Sequence, residues 1–335
     1  MRILIDAMGG DNAPGAIVQG AVTAAGEFGT EVVLVGREAE VRECLERCGG
    51  GKRVSVVNAD EVITMEDDPS TATRRKKNSS MSLALQMLHQ GEGDACVSAG
   101  STGALLTGAT LIVKRINGIR RAALAPVLPN GGKGVVLIDS GANVDCTPEY
   151  LLQFAYMGSF YARTMLGLEN PRVGLANVGT EDTKGGVLQH ETFQLLKAAG
   201  EAGRINFIGN VEGNGVFSGD VDVLVADGFT GNLMLKTAES MIKFMMGNLK
   251  SVFYKNLKNK LAAAVLKGDL AQMKKMLDVK EVGGTVMLGI SRPVIKAHGS
   301  SDARCILAAV RQAVTCVNSG ITEEIKANIE YMKIG

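Results

Sequence analysis

The residues best suited to chemistry form a short polar loop, Ser98 to Gly103, which reads Ser-Ala-Gly-Ser-Thr-Gly. Ala95 to Val97 before it has the apolar character of a strand, and from Ala104 onward apolar residues recur at helical spacing. A loop between a strand and a helix start points backbone N–H groups and the positive end of the helix dipole at one position, which suits a phosphate. We predict that an anion binds here, with an ordinary strand-to-helix turn as the alternative interpretation.

Three further side chains are candidate catalytic residues. Lys184, next to two glycines, is suited to holding a phosphate or a carbonyl oxygen as a point charge. His298, one of three histidines, is suited to proton donation near neutral pH, and Asn143 to polarising an oxygen without adding charge. The alternatives are a surface lysine at 184, a helix-capping segment around 298 and a tight turn at 143.

Small and polar residues follow several of the predicted strands. Because ligands of open α/β sheets bind beyond the carboxyl ends of the strands, we expect these loops to form one large polar site. Each residue taken alone is equally typical of a turn. The candidate substrate-binding residues are Asp6, Gly9, Gly10, Ser98, Gly100, Ser101, Thr102, Asn177, Asn210, Asp227, Asn232, Lys296, Ser300 and Ser301.

Several common catalytic signatures are absent from the sequence. It has no G-x-S-x-G elbow, no H-E-x-x-H and no G-x-G-x-x-G after a strand. The six cysteines form no C-x-x-C pair, and the aspartates show no metal-ligand spacing, so we expect neither a metal nor a cofactor. Cys96 and Cys146 are interpreted as buried structural thiols. With no covalent nucleophile marked, a bound phosphate is a candidate nucleophile itself.

The elements that must position these residues alternate between strand and helix along 335 residues. This order predicts an α/β/α sandwich with a mostly parallel sheet, divided into a first domain at 1–139 plus 296–335 and a second at 140–295. The net charge of +1 argues against a general nucleic-acid binder. The chain starts directly with a strand, and no apolar run reaches the roughly 18 residues of a membrane span, so we expect neither a signal peptide nor a transmembrane helix.

A basic segment at about 241–280 is expected to form a helical hairpin within the second domain. Between Lys243 and Lys280 it carries nine lysines and two acids. Leu257, Leu261 and Val265 share one helical face beside Lys258, which favours docking on an anionic membrane or an acidic protein. The alternative is a dimerisation or packing hairpin. A second apolar stripe comprises Leu270, Met273, Met276 and Leu277.

A shorter basic run, Arg74 to Lys77, lies in a polar loop that contains Pro69. It is interpreted either as a solvated charge cluster or as a contact for an anionic substrate or partner.

Eight motifs, in order and from end to end, resemble the bacterial phosphate acyltransferases of phospholipid synthesis. Asn12, Asn78 and Ser101 depart from the usual residues of that family. The motifs are Ile5-Asp-Ala-Met-Gly-Gly-Asp11, Lys76-Lys-Asn-Ser-Ser-Met81, Val97-Ser-Ala-Gly-Ser-Thr-Gly-Ala104, Gly141-Ala-Asn-Val-Asp-Cys146, Asn170-Pro-Arg-Val-Gly174, Phe207-Ile-Gly-Asn-Val-Glu-Gly213, Asp227-Gly-Phe-Thr-Gly-Asn232 and Ile295-Lys-Ala-His-Gly-Ser-Ser-Asp302.

The resemblance implies transfer of a fatty acyl group from acyl carrier protein to inorganic phosphate. The acyl phosphate would then supply a membrane glycerol-3-phosphate acyltransferase. It also implies a cytoplasmic homodimer held peripherally at the membrane, with a fold similar to phosphotransacetylase and the isopropylmalate dehydrogenases. In this hypothesis phosphate lies among the loops at Gly9-Gly10, 98–103 and 299–301 and attacks the thioester carbon. A nicotinamide-dependent dehydrogenase and a non-enzymatic carrier- or lipid-binding protein are the alternatives.

Overall fold

The computed structural model describes residues 1–277 and 283–333. Two β-sheets carry the fold. The strands are β1 (Arg2–Asp6), β2 (Glu31–Gly36), β3 (Val54–Asn58), β4 (Ala95–Ser98), β5 (Ala123–Ala125), β6 (Val127–Leu128), β7 (Val135–Ile138), β8 (Arg172–Ala176), β9 (Asn206–Val211), β10 (Val223–Val225), β11 (Thr285–Leu288) and β12 (Val294–Lys296).

Helices fill most of the segments between these strands. The helix at Thr102–Gly108 is continued by a π-helical turn at Ala109–Val113. The helices are α1 (Gly15–Phe28), α2 (Glu38–Arg47), α3 (Ala72–Arg75), α4 (Ser80–Gln90), α5 (Thr102–Gly108), α6 (Pro148–Leu166), α7 (Val187–Glu201), α8 (Gly228–Tyr254), α9 (Leu257–Val265), α10 (Lys267–Leu277), α11 (Ala303–Ser319) and α12 (Ile321–Ala327).

The larger sheet has the strand order β3-β2-β1-β4-β12-β11-β5. Its strands run parallel except β11, which is antiparallel to both neighbours. Because side chains alternate along a strand, Ile3 and Ile5 of β1 pack with α1 and α11, whereas Leu4 packs with α4 and α5 on the other face. Helices therefore cover both faces, which confirms the predicted α/β/α sandwich.

The smaller sheet has the strand order β6-β7-β10-β8-β9, and only its edge strand β6 is antiparallel. Helix α6 is buried continuously from Leu151 to Ala162, because it packs between this sheet and the rest of the chain. On the opposite face, Leu235 of α8 packs against Leu224 of β10. The prediction of a mostly parallel sheet holds for both sheets.

The chain passes between the sheets at different places from those predicted. It enters the smaller sheet at Pro126, between β5 and β6, and returns before β11. Residues 127–138 therefore belong to the smaller sheet and 285–295 to the larger, although the sequence-based division assigned them the other way. Strands β5 to β7 are all short and apolar, so composition does not mark the crossing.

The basic segment begins inside α8, a helix of 27 residues, and continues through α9 and α10. Helix α9 contacts α8 and α10, so the predicted hairpin is an arm of three helices. The side chains of Met276 and Leu277, and the positions 278–282, lie outside the described residues. No single helix in 1–277 or 283–333 is long and apolar enough to cross a membrane; α11 and α12, bent by 42°, meet that test only together.

Two glycines allow α8 to begin directly against the loop that follows β7. A Cβ on Gly231 would lie 1.9 Å from the backbone oxygen of Asp139, and one on Gly228 would lie 2.5 Å from that of Asn143. The N–H of Gly228 donates to the Asn143 oxygen at 2.7 Å. The glycines of the Asp227-to-Asn232 motif are therefore required for close backbone packing.

Replacing Gly231 with alanine is expected to destabilise the fold by about 1–3 kcal/mol, because backbone atoms on both sides must separate. Gly247→Ala on the same helix is the matched control, since nothing lies within 4 Å of its Cβ position. There alanine should stabilise by about 0.5–1 kcal/mol through helix propensity. Urea unfolding of both variants checks this, and equal stability of the two would contradict the packing argument.

Candidate active site

Three loops of the larger sheet meet through glycines at the carboxyl ends of β1, β4 and β12. A Cβ on Gly9 would lie 2.4 Å from Asp6 Oδ2 and 2.7 Å from the nitrogen of Gly100. Gly10 has a φ of +101° and would place a Cβ 2.9 Å from the Gly299 oxygen. Glycine is the residue that tolerates both the contacts and the backbone angle. These glycines bring the loops together beneath the site.

A buried carboxylate ties the same loops by hydrogen bonds. Asp6, at the end of β1, accepts from Ser80 Oγ at 2.6 Å and from Ser98 Oγ at 2.6 Å. Burial raises the pKa of Asp6, and the two serine hydroxyls oppose that rise. Both serines are themselves buried, so Asp6 and Ser98 position the 98–103 loop from below instead of lining the open cleft.

Lys296 ends β12 beside Ser98, its register partner on β4. Its amine donates to the backbone oxygens of Ala99, at 3.4 Å, and Ala297, and the residue is only 9% exposed. Burial lowers the pKa of Lys296 to about 8; Asp6 and Asp11 oppose this and Lys236 adds to it. A partly desolvated ammonium held by neutral carbonyls retains capacity to bind an anion.

The His298 side chain is held by hydrogen bonds from its own loop, which follows β12. The Ser300 N–H donates to His298 Nδ1 at 3.2 Å, and Ser300 Oγ lies 3.0 Å from the same nitrogen. Ser301, which is buried, donates its hydroxyl to the His298 oxygen at 2.6 Å. Asp302 caps α11 by accepting from the Cys305 N–H at 2.9 Å. The segment therefore caps α11, as the alternative interpretation expects, and the proton-donor role of His298 stays a prediction.

The loop after β7 is organised around Asp139 and contains the predicted catalytic residue Asn143. Asn143 Nδ2 donates to the Ala122 oxygen at 2.8 Å and to Asp139 Oδ2 at 3.1 Å. An amide NH₂ has two hydrogens, and both are used here. Asn143 thus orders its loop, as the turn interpretation expects, and polarising a substrate oxygen would require one of these hydrogen bonds to break.

A cleft of about 620 Å³ lies between the two sheets and brings some of the candidates together. From the larger sheet it is lined by Thr102, Lys296 and His298, and from the opposite side by Asn232 and Lys236 of α8. Lys236 and the cleft-lining Arg304 were not identified from the sequence. Arg304 is the second residue of α11 and follows a recognised loop directly, so its helix-start position was the available signal. Lys236 is the ninth residue of α8, beyond the first turn, and no local signal marked it.

Ser101 caps α5 from within the 98–103 loop. Its hydroxyl accepts from the Ala104 N–H at 3.5 Å, so serine at this departure from the family pattern performs an ordinary N-cap function. The first-turn N–H groups of Thr102 and Gly103 have no acceptor inside the helix, as at any helix start. Thr102 lines the same cleft as Lys296.

The candidates on the outer strands of the smaller sheet do not line this cleft. Lys184 is half exposed, and its amine lies 3.9 Å from the Glu181 carboxylate. For Lys184 to contact a reacting group in the cleft, the loop that contains it would have to move towards the cleft. Asn177 donates to the Lys184 oxygen at 3.0 Å and Asn210 to the Glu181 oxygen at 2.9 Å, so both order that loop. Asp227 accepts twice from Thr230 as the N-cap of α8.

The predicted docking face is open to solvent. Leu257, Leu261 and Val265 are 74%, 62% and 84% exposed, and Lys258 beside them is exposed as well.

In the basic run at 74–77, Lys76 is held by Asp67 at 2.6 Å and donates to the Val62 oxygen at 2.9 Å. That lysine stabilises its own loop.

The fold has close parallels among solved structures. A phosphotransacetylase from Streptococcus pyogenes superposes with a TM-score of 0.62, at 18% identity over 95% of this chain and 94% of its own. At this identity the likeness defines the class by fold alone: a two-sheet, phosphotransacetylase-like α/β protein with a cleft between the sheets.

Sequence comparison identifies the family. A family model described as fatty acid synthesis protein matches residues 1–324. A phosphate acyltransferase from Geobacillus thermodenitrificans is 49% identical over 98% of this chain and 99% of its own, and one from Anoxybacillus flavithermus is 47% identical over 99% and 100%. The chain belongs to the phosphate acyltransferase family. The resemblance found in its motifs is confirmed, and with it an acyltransferase enzyme of fatty-acid and lipid synthesis.

Sulfate affinity is expected to fall as pH rises through about 8, because the Lys296 amine loses its positive charge there. Sulfate is the probe because its charge does not change in this range. Lys296→Arg should keep the affinity constant to higher pH, since a guanidinium stays protonated. Calorimetric titration from pH 7 to 9.5 measures both, and identical pH profiles would exclude Lys296 from the anion site.

Proposed function

We propose that this enzyme transfers a fatty acyl group from acyl carrier protein to inorganic phosphate, giving acyl phosphate for phospholipid synthesis. The observation that carries the proposal is the nearly buried amine of Lys296 in the lining of the cleft. Family membership supports the reaction class, and relatives that bear the name phosphate acyltransferase do not favour the dehydrogenase alternative.

Phosphate binds, in this proposal, between the start of α5 and Lys296. The ammonium supplies charge, and the Thr102 hydroxyl and first-turn N–H groups supply donors. Asn232 and Lys236 approach from the α8 side of the cleft. The loops at Gly9-Gly10 and 299–301 are proposed to complete the phosphate site: Gly299 lines the cleft, and backbone packing and hydrogen bonds hold both loops in place.

The chemistry requires no covalent enzyme intermediate. An oxygen of hydrogen phosphate attacks the thioester carbon, and the carbonyl oxygen takes the negative charge of the tetrahedral intermediate. Collapse breaks the carbon–sulfur bond, and the proton of the phosphate becomes the thiol proton of the released carrier. Lys296 and Lys236 stabilise the added charge, and His298 is placed to move the proton.

Lys296→Met should lower kcat/KM for phosphate roughly 10²–10³-fold, the range for loss of one donor to a developing oxyanion. The assay incubates palmitoyl-carrier protein with labelled phosphate and quantifies acyl phosphate. Lys197→Met is the matched control, because that lysine is at the surface, 3.8 Å from Asp182. Acyl phosphate formation at the wild-type rate by Lys296→Met would contradict the proposed site.

The α9 face is proposed to dock on an anionic membrane, close to the acyltransferase that would use the product. Three apolar side chains at i, i+4 and i+8 with lysines on both sides form the pattern of an interfacial helix. The same basic arm is proposed to attract the acidic carrier protein by charge. These contacts would place a protein of the cytoplasm peripherally on the membrane.

Self-association is proposed through α8. Phe229, Leu233 and Phe244 are exposed on this helix, and isolated monomers rarely leave contiguous apolar surface uncovered. A homodimer would cover that surface and hold two α9 faces on one assembly, which raises membrane affinity by multivalency.

Leu257→Glu with Leu261→Glu should weaken binding to phosphatidylglycerol vesicles at least about tenfold, because two apolar anchors are replaced by charges that the lipid repels. Leu111→Glu is the matched control, as Leu111 is also an exposed leucine but lies outside α9. Vesicle sedimentation measures binding, and gel filtration checks that both variants keep their oligomeric state. If the double variant and the control sedimented equally with vesicles, the membrane role of α9 would be excluded and α9 would serve only in packing.

A further inference from the structure

The cleft between the sheets is lined by two chemically different sets of side chains. One set is polar and contains Lys296 and His298, as described above. The other set is apolar: Leu124 and Pro126 line the cleft together with Leu235, Ile242 and Met246 of α8. An anion site alone does not require such an extension. The family reaction also includes a long hydrocarbon chain, for which the polar loops offer no place.

The apolar wall is a regular feature of α8. Leu235, Ile242 and Met246 stand at i, i+7 and i+11, which places them on one helical face. Leu235 is buried, and Ile242 and Met246 are half-buried at the cleft. Lys236, Glu239 and Lys243 of α8 also line the cleft, and Lys236 is paired with Glu239 at 3.0 Å. The three apolar side chains thus form a strip along α8 that is bordered by charged side chains.

The length of the strip matches a membrane fatty acid. From Leu235 to Met246 the helix rises roughly 16 Å, at about 1.5 Å per residue. The hydrocarbon core of a bilayer is about 30 Å thick, so the acyl chains of one leaflet extend about 15 Å. A carbonyl carbon at Lys296 with its chain along α8 would therefore end near Met246.

We propose that the fatty acyl chain of the substrate lies along the Leu235–Ile242–Met246 face of α8, and that Met246 sets the upper limit of chain length. This inference rests on the proposed function and adds the position of the acyl group and its specificity determinant. The cleft volume of about 620 Å³ is within the range of roughly 300–1,000 Å³ for ligand pockets.

Met246→Trp tests the proposal by shortening the groove. The ratio of kcat/KM for stearoyl- over octanoyl-carrier protein should fall at least about tenfold, since one methylene in an apolar pocket is worth roughly 10–200-fold. Met246→Ala should raise the same ratio. Met245→Trp is the matched control, because the neighbouring methionine on α8 is exposed and does not line the cleft; its ratio should equal that of the wild type.

A binding measurement separates this proposal from the proposed function. The chain contains no tryptophan, so each variant carries a single tryptophan whose emission can be followed. Hexadecyl phosphate should shift the emission of Met246→Trp to shorter wavelength and leave that of Met245→Trp unchanged, whereas octyl phosphate should affect neither. These probes require no turnover.

The outcomes are distinguishable. An unchanged chain-length ratio in Met246→Trp, together with an unshifted emission, overturns the groove while leaving acyl transfer intact. Absence of acyl phosphate from the wild type with every chain length, alongside the expected fluorescence shifts, overturns the proposed function and supports the groove.

Discussion

The carboxylate of Asp139 determines how the two sheets meet. It accepts from the N–H groups of Leu124 and Ser140, each at 2.8 Å, and from those of Ala142 and Asn143, at 2.9 Å and 2.7 Å. Leu124 belongs to the larger sheet and the other donors to the loop after β7, so one side chain joins the two halves of the molecule. Burial raises the pKa of Asp139, and these donors oppose that rise.

Helix α8 depends on the loop that Asp139 organises. Its first turn rests on that loop through Gly228 and Gly231, so the position of the loop sets the direction of the whole helix. The same helix supplies the polar side chains of Asn232 and Lys236 and the apolar side chain of Leu235 to the lining of the cleft. At about 1.5 Å per residue its 27 residues extend roughly 40 Å, from the cleft to the basic arm. The cleft and the basic arm therefore share helix α8.

The charges of the cleft differ in how much each can contribute. Lys236 and its partner Glu239 are open to solvent on the lysine side, where pairing is worth only about 0–1 kcal/mol. Lys296 is nearly buried and held by carbonyls, so an incoming anion meets an ammonium that water screens poorly. We therefore expect the buried lysine to contribute more to anion binding than any one of the exposed lysines on the arm.

The sequence by itself determined the α/β class, the polar loops at the strand ends, the apolar face of α9 and the family, because these follow from local periodicity, turn residues and ordered motifs. Tertiary structure decided which loops share a cleft. It assigned the Asn143 amide to Ala122 and Asp139, left Lys184 outside the cleft, and brought Lys236 opposite Lys296, 60 residues further along the chain. The tertiary structure also places the passage of the chain from the larger to the smaller sheet at Pro126. Such contacts depend on how two sheets and one helix pack, and no local pattern of residues encodes the distance between surfaces so far apart in the chain.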